Sequence, residues 1–142
     1  MTIQVVLLPL FAEVILTFAL LFSLAPLRAR DFNTGVTRPE NIALREPNWS
    51  KRTLQIGYSF SNQFELPVLF YVLTILAYFT HRAGVLFVVL AWIFVLFRYL
   101  QAYVHVTSNK VRLRGSFFIV SALALAIMWV VYIVEILTSP WV

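Results

Sequence analysis

Gln55, Tyr58 or Ser59, Asn62 and Glu65 recur at three- and four-residue steps, the repeat that lines one face of a helix. Arg98, Gln101 and His105 share a second face, with Tyr99 and Tyr103 beside them, and Arg112 and Arg114 follow. All three groups lie next to long apolar stretches. Polar side chains at membrane depth are costly, and an acid there is a functional candidate by default. A structural role is the alternative. Asn62 would then bond a neighbouring helix, and Glu65 would pair with Arg98 or another basic group to hold the helices together.

Other chemistries find no support in the residues. The chain has no Cys, which excludes disulfides, thiolate metal sites and a cysteine nucleophile. His81 and His105 are separated by one apolar stretch, which at about 1.5 Å per residue places them roughly 36 Å apart. They cannot share a metal within one chain, and no metal site is expected. Phosphate-binding loops, zinc spacings and Ser-His-Asp arrangements are also missing from the sequence. Glu13 and Glu135 fall in the outer halves of their stretches with no basic neighbour except Arg82, so a structural hydrogen bond or a subunit contact is expected of them.

The elements that must position these residues are transmembrane helices. Of the 142 residues, 61% are hydrophobic and 12% charged, too little charge for the surface of a soluble domain, which carries about 25%. Four apolar stretches approach the ~20 residues needed to cross a bilayer: about Ile3 to Leu24, Thr53 to Thr80, Ala83 to Tyr103 and Ser116 to Leu137. None alternates at period two, so an all-α bundle of four helices in a single membrane domain is predicted. Pro26 to Pro47 lacks apolar periodicity and is expected to be irregular, lying over one end of the bundle. Pro140 should end the last helix, with Trp141 as an interfacial anchor.

Basic residues set the orientation. Arg28, Arg30, Arg38, Arg45, Lys51 and Arg52 cluster between the first two spans, and Arg98, Lys110, Arg112 and Arg114 near the last connection. Only Arg82 lies on the other side. The loops at about 25–52 and 104–115 are therefore expected in the cytoplasm, with both termini opposite. The net charge of +5 fits anionic lipid heads better than nucleic acid, because the charges flank apolar stretches.

Asn62-Gln63-Phe64-Glu65-Leu66-Pro67 resembles the Asn-x-x-Glu motif, followed shortly by Pro, in the second helix of the MAPEG family (membrane-associated proteins in eicosanoid and glutathione metabolism). Arg98-Tyr99-Leu100-Gln101-Ala102-Tyr103 resembles the Arg-Tyr-x-Gln-x-Tyr stretch of that family's leukotriene-forming glutathione transferase. The resemblance implies a homotrimer of four-helix protomers that binds glutathione as co-substrate between neighbours near the cytoplasmic face. It implies that Asn62 and Glu65 hold the glutathione backbone, and that Tyr99 and Tyr103 line the thiol end. Arg112, or Arg114 second, would stabilise the thiolate, and Arg28 or Arg30 would meet a carboxylate. Arg98 and Gln101 belong to the same binding cluster. Two positions differ from the family pattern: Tyr58 stands where an Arg is usual, and Leu66 where the leukotriene enzyme has Tyr.

Two main functions compete. One is a glutathione-dependent transferase or peroxidase acting on a lipophilic small molecule that arrives through the lipid. The other is a non-catalytic scaffold or accessory subunit of a larger membrane complex. A transporter is disfavoured, because the third and fourth spans are apolar outside their basic ends.

Overall fold

Helices in this chain run until a residue or turn that cannot continue them, and the computed structural model, which describes residues 1–140, follows those stops. Helix α1 covers Ile3–Asn33 and contains both Pro9 and Pro26. It ends where the Thr34 hydroxyl donates to the Arg30 carbonyl at 2.8 Å and Gly35 takes a φ of 76°, a conformation glycine adopts without steric cost. The irregular segment expected from Pro26 thus begins only after Asn33. Extending an existing helix requires far less than nucleating one, so one missing backbone bond at Pro26 does not stop α1.

Helix α2, Lys51–Ser61, starts at Ser50, whose side chain accepts from the Thr53 N–H and so fills one of the unpaired donors of the first turn. A 3-10 turn, Asn62–Phe64, interrupts the second span, and α3 resumes it over Leu66–Phe79. Helices α4, Val85–Val106, and α5, Val111–Thr138, complete the chain. Taken as one span, α2 and α3 join α1, α4 and α5 as four segments long and apolar enough to cross a membrane. The described residues contain no strand. Trp141, the expected anchor, lies outside the described residues.

Helix α4 packs most extensively on α5, and α1 lies against α2 and α4. The core is built from small residues facing large ones. Phe70 and Phe94 stack with centroids 4.7 Å apart, beside the fully buried Ala77 and Ala91. A second cluster joins Leu16 and Leu20 of α1 to Ala102 of α4. The outward faces are equally apolar: Phe22, Phe79 and Leu137 are each at least 70% exposed. With lipid as apolar as the interior, burial of such side chains does not select the packing. Close fit and interhelical polar contacts must do so.

Candidate functional site

Pro67 sits in the first turn of α3. It has no N–H to offer the carbonyl four residues back, so the span tightens into the 3-10 turn and Glu65 leaves helical geometry, with φ −99° and ψ −109°. The Asn62 carbonyl, on the rim of this break, accepts a hydrogen bond from Arg98 Nη2 at 2.8 Å. Arg98 Nη1 donates to Gln101 Oε1, one helical turn along α4, also at 2.8 Å. Arg98 Nε lies 4.0 Å from Glu13 Oε1, with 1% of the Arg98 side chain and none of Glu13 exposed. This is the one ion pair among the described residues.

Glu13 therefore has a basic partner that the sequence did not reveal. Spans one and three cross in the same direction. Glu13 is ten residues into α1 and Arg98 thirteen into α4, which at 1.5 Å per residue puts them about 15 and 20 Å from their helix starts. The alternative pairing of Arg98 with Glu65 does not form, and Glu65 is exposed.

The start of α2 serves the end of α4. Gln55 Nε2 donates to the carbonyls of His105, at 2.7 Å, and Thr107, at 3.1 Å, while the Arg52 guanidinium donates to the Val106 carbonyl. These carbonyls belong to the last turn, where no intrahelical donor remains. Tyr99 is half-buried and its hydroxyl donates to the Ala12 carbonyl, tying α4 to α1 beside Glu13.

The structure thus brings Arg98, Gln101 and the Asn62 backbone into one buried cluster with Glu13. Tyr103, Glu65, Arg28, Arg30 and Arg112 are exposed, and no hydrogen bond or ion pair among the described residues joins their side chains to that cluster. The Asn62 side chain is half-buried. Arg114 is half-buried and donates to Asn109 Oδ1 at 2.7 Å.

A cleft of about 810 Å³ opens between the first loop and α2, lined by Arg28, Arg45, Glu46, Trp49, Tyr58 and Phe64 among others. Of the residues expected to bind a ligand, Arg28 alone reaches it. Its guanidinium lies over the Trp49 ring, 5.2 Å from the centroid, a cation–π contact between two residues of the cleft lining. Asp31 shapes the loop: its Oδ2 accepts from the Ser50 N–H at 3.0 Å, and its carbonyl from the Thr37 N–H at 3.1 Å. Desolvation pushes the Asp31 carboxyl up, but hydrogen bonds from Ser50 and Thr53 outweigh it and hold the group below the usual carboxylate range. Thr37 donates in turn to the Asn48 carbonyl at 2.7 Å. Arg45, Glu46 and Trp49 were missed as cleft residues because their segment has no periodicity. The available signal was the Ser50 helix cap, which fixes where the loop must end.

No match was found among curated proteins or among solved structures. The sequence model of the MAPEG family matches residues 6–134 of the 142, a range that reaches into all four spans and contains the break at Asn62–Glu65 and the Arg98 cluster. With four apolar helices and that match over most of its length, the chain is an integral membrane protein that belongs to the MAPEG family.

Proposed function

We propose that the protein binds glutathione near the cytoplasmic face and transfers its thiol to, or uses it to reduce, a lipophilic electrophile. The observation that carries this reading is the set of polar side chains left outside the bundle. Glu65, Tyr103, Arg112 and Arg28 are exposed on the loop-side half of a protomer whose other outward side chains are largely apolar. Such groups need partners at that depth, and a charged ligand held between copies of the chain in a homotrimer supplies them. Glutathione carries two carboxylates and peptide N–H donors, so several Arg with one acceptor Glu on its backbone complement it.

In this scheme a guanidinium, Arg112 first and Arg114 second, favours the thiolate, which is the nucleophile. The thiol proton leaves to solvent, the sulfur bonds the electrophilic carbon, and the displaced group departs with the electron pair. The buried Arg98 cluster holds the backbone at Asn62, and so the pose of Asn62 and Glu65. Calorimetry of glutathione binding to the detergent-solubilised protein tests the proposal. Millimolar or tighter binding, weakened by Arg112→Ala and by Glu65→Gln, supports it; no binding to well-folded protein overturns it.

One observation favours the second reading, a non-catalytic scaffold. Arg98, Gln101 and the Tyr99 hydroxyl, all expected at the ligand, make their polar contacts inside the protomer. Co-purification with a fixed stoichiometric partner, together with no glutathione binding, would select it.

A further inference from the structure

We infer that the first loop supplies two charge contacts to a zwitterionic peptide ligand, with Arg45 taking a carboxylate and Glu46 the ammonium. The inference rests on the glutathione reading and extends it to residues that neither motif contains. Three charged side chains line the cleft between loop and α2: Arg28, Arg45 and Glu46. Two cations and one anion mirror a ligand with two carboxylates and one ammonium. A simple anion such as a lipid phosphate would suit the Arg pair but would face repulsion from Glu46, so the zwitterion is the better occupant. The cleft volume of about 810 Å³ lies within the ~300–1,000 Å³ common for small-molecule sites.

The loop geometry prepares both residues. Arg45 has a φ of 64°, a left-handed conformation unfavourable for a side-chain-bearing residue and frequent at ligand clamps. Glu46 Oε2 accepts from the Leu44 N–H at 2.9 Å, which fixes the carboxylate and leaves Oε1 for a ligand. The loop itself is anchored through Asp31 to Ser50, through Thr37 to the Asn48 carbonyl, and through Asn48 Nδ2 to the Asn41 carbonyl at 2.6 Å. A segment pinned at three points presents its charges without first having to be ordered, and that raises affinity.

The test is a mutant cycle in which calorimetry measures glutathione and its N-acetyl derivative, which lacks the ammonium, on the full-length protein in detergent. Glu46→Gln removes the charge but keeps an oxygen for the Leu44 N–H. It should weaken glutathione about tenfold and leave the N-acetyl derivative unaffected. Arg45→Gln should weaken both ligands about tenfold, since both retain their carboxylates. Arg38→Gln, in the same loop but away from the cleft, should change neither and so control for general loss of loop charge. Glutathione binding that survives Arg45→Gln and Glu46→Gln unchanged overturns this inference while sparing the glutathione reading. Equal weakening of both ligands by Glu46→Gln also overturns the ammonium contact. Wild-type protein that binds neither ligand overturns both.

Discussion

Arg98 Nη2 donates to the Asn62 carbonyl at 2.8 Å, so one guanidinium on α4 closes the break between α2 and α3. Its charge is balanced by Glu13, 4.0 Å away on α1. Three spans therefore meet at a single side chain, in a bundle where apolar burial gives little preference for one packing over another. Removing one partner of a buried ion pair leaves the other charge uncompensated, typically at a cost of about 3–5 kcal/mol. Glu13→Leu should destabilise the protein by that order in denaturant unfolding in detergent. Glu13→Leu combined with Arg98→Leu should recover part of the loss, because no lone charge then remains. A double variant less stable than Glu13→Leu alone would mean that the Asn62 contact, not charge balance, dominates.

Pro67 withholds an N–H from the Gln63 carbonyl, and the break that follows leaves the neighbouring Asn62 carbonyl to Arg98. Pro67→Ala restores an N–H to the second span, and a straighter helix should carry Asn62 and Glu65 away from their present pose. Moving Asn62 also loosens its bond to Arg98, so stability should fall by up to about 1.5–3 kcal/mol, the worth of a hydrogen bond to a charged group. Glutathione binding to the folded protein should fall about tenfold. Unchanged binding would show that the break has no part in ligand positioning.

The spans and family were legible because long apolar runs and the paired motifs around Asn62 and Arg98 depend on local sequence alone. The Glu13–Arg98 pair was not. Hydropathy placed Arg98 near the end of its span, whereas α4 continues through Val106 and so sets Arg98 about 12 Å inside its end. Gln55 matched the polar face of the second span by spacing, yet its amide bonds the end of α4. Spacing identifies a face but not what faces it. Arg45 and Glu46 occupy a loop whose shape comes from Asp31, nineteen residues before Ser50, and no local pattern encodes that contact.

Asp31 gives the loop a pH dependence. It lies beyond the apolar part of α1, and its carboxyl sits below the usual range in the folded state. A group with a depressed folded pKa stabilises the protein fully above its unfolded value of about 3.9, and that stabilisation is lost as pH falls through the folded value. At pH 7, Asp31→Asn should therefore lower stability by about 1 kcal/mol, the scale of one hydrogen bond. Wild type and variant should converge as pH falls below about 3.9. A gap that persists at low pH would mean that shape, not charge, makes Asp31 important.

Gln55 distinguishes a helix cap from a ligand contact. Its amide serves the carbonyls of His105 and Thr107, and leaving such groups unpaired costs about 1–3 kcal/mol. Gln55→Leu should loosen the last turn of α4, which begins near Tyr103, and amide hydrogen exchange there should accelerate while the α4 core around Phe94 stays protected. Glutathione affinity should change only indirectly, through Tyr103, and by less than the effect of Glu65→Gln. If Gln55→Leu instead abolishes binding with no change in exchange at the end of α4, Gln55 contacts the ligand and the cap is incidental.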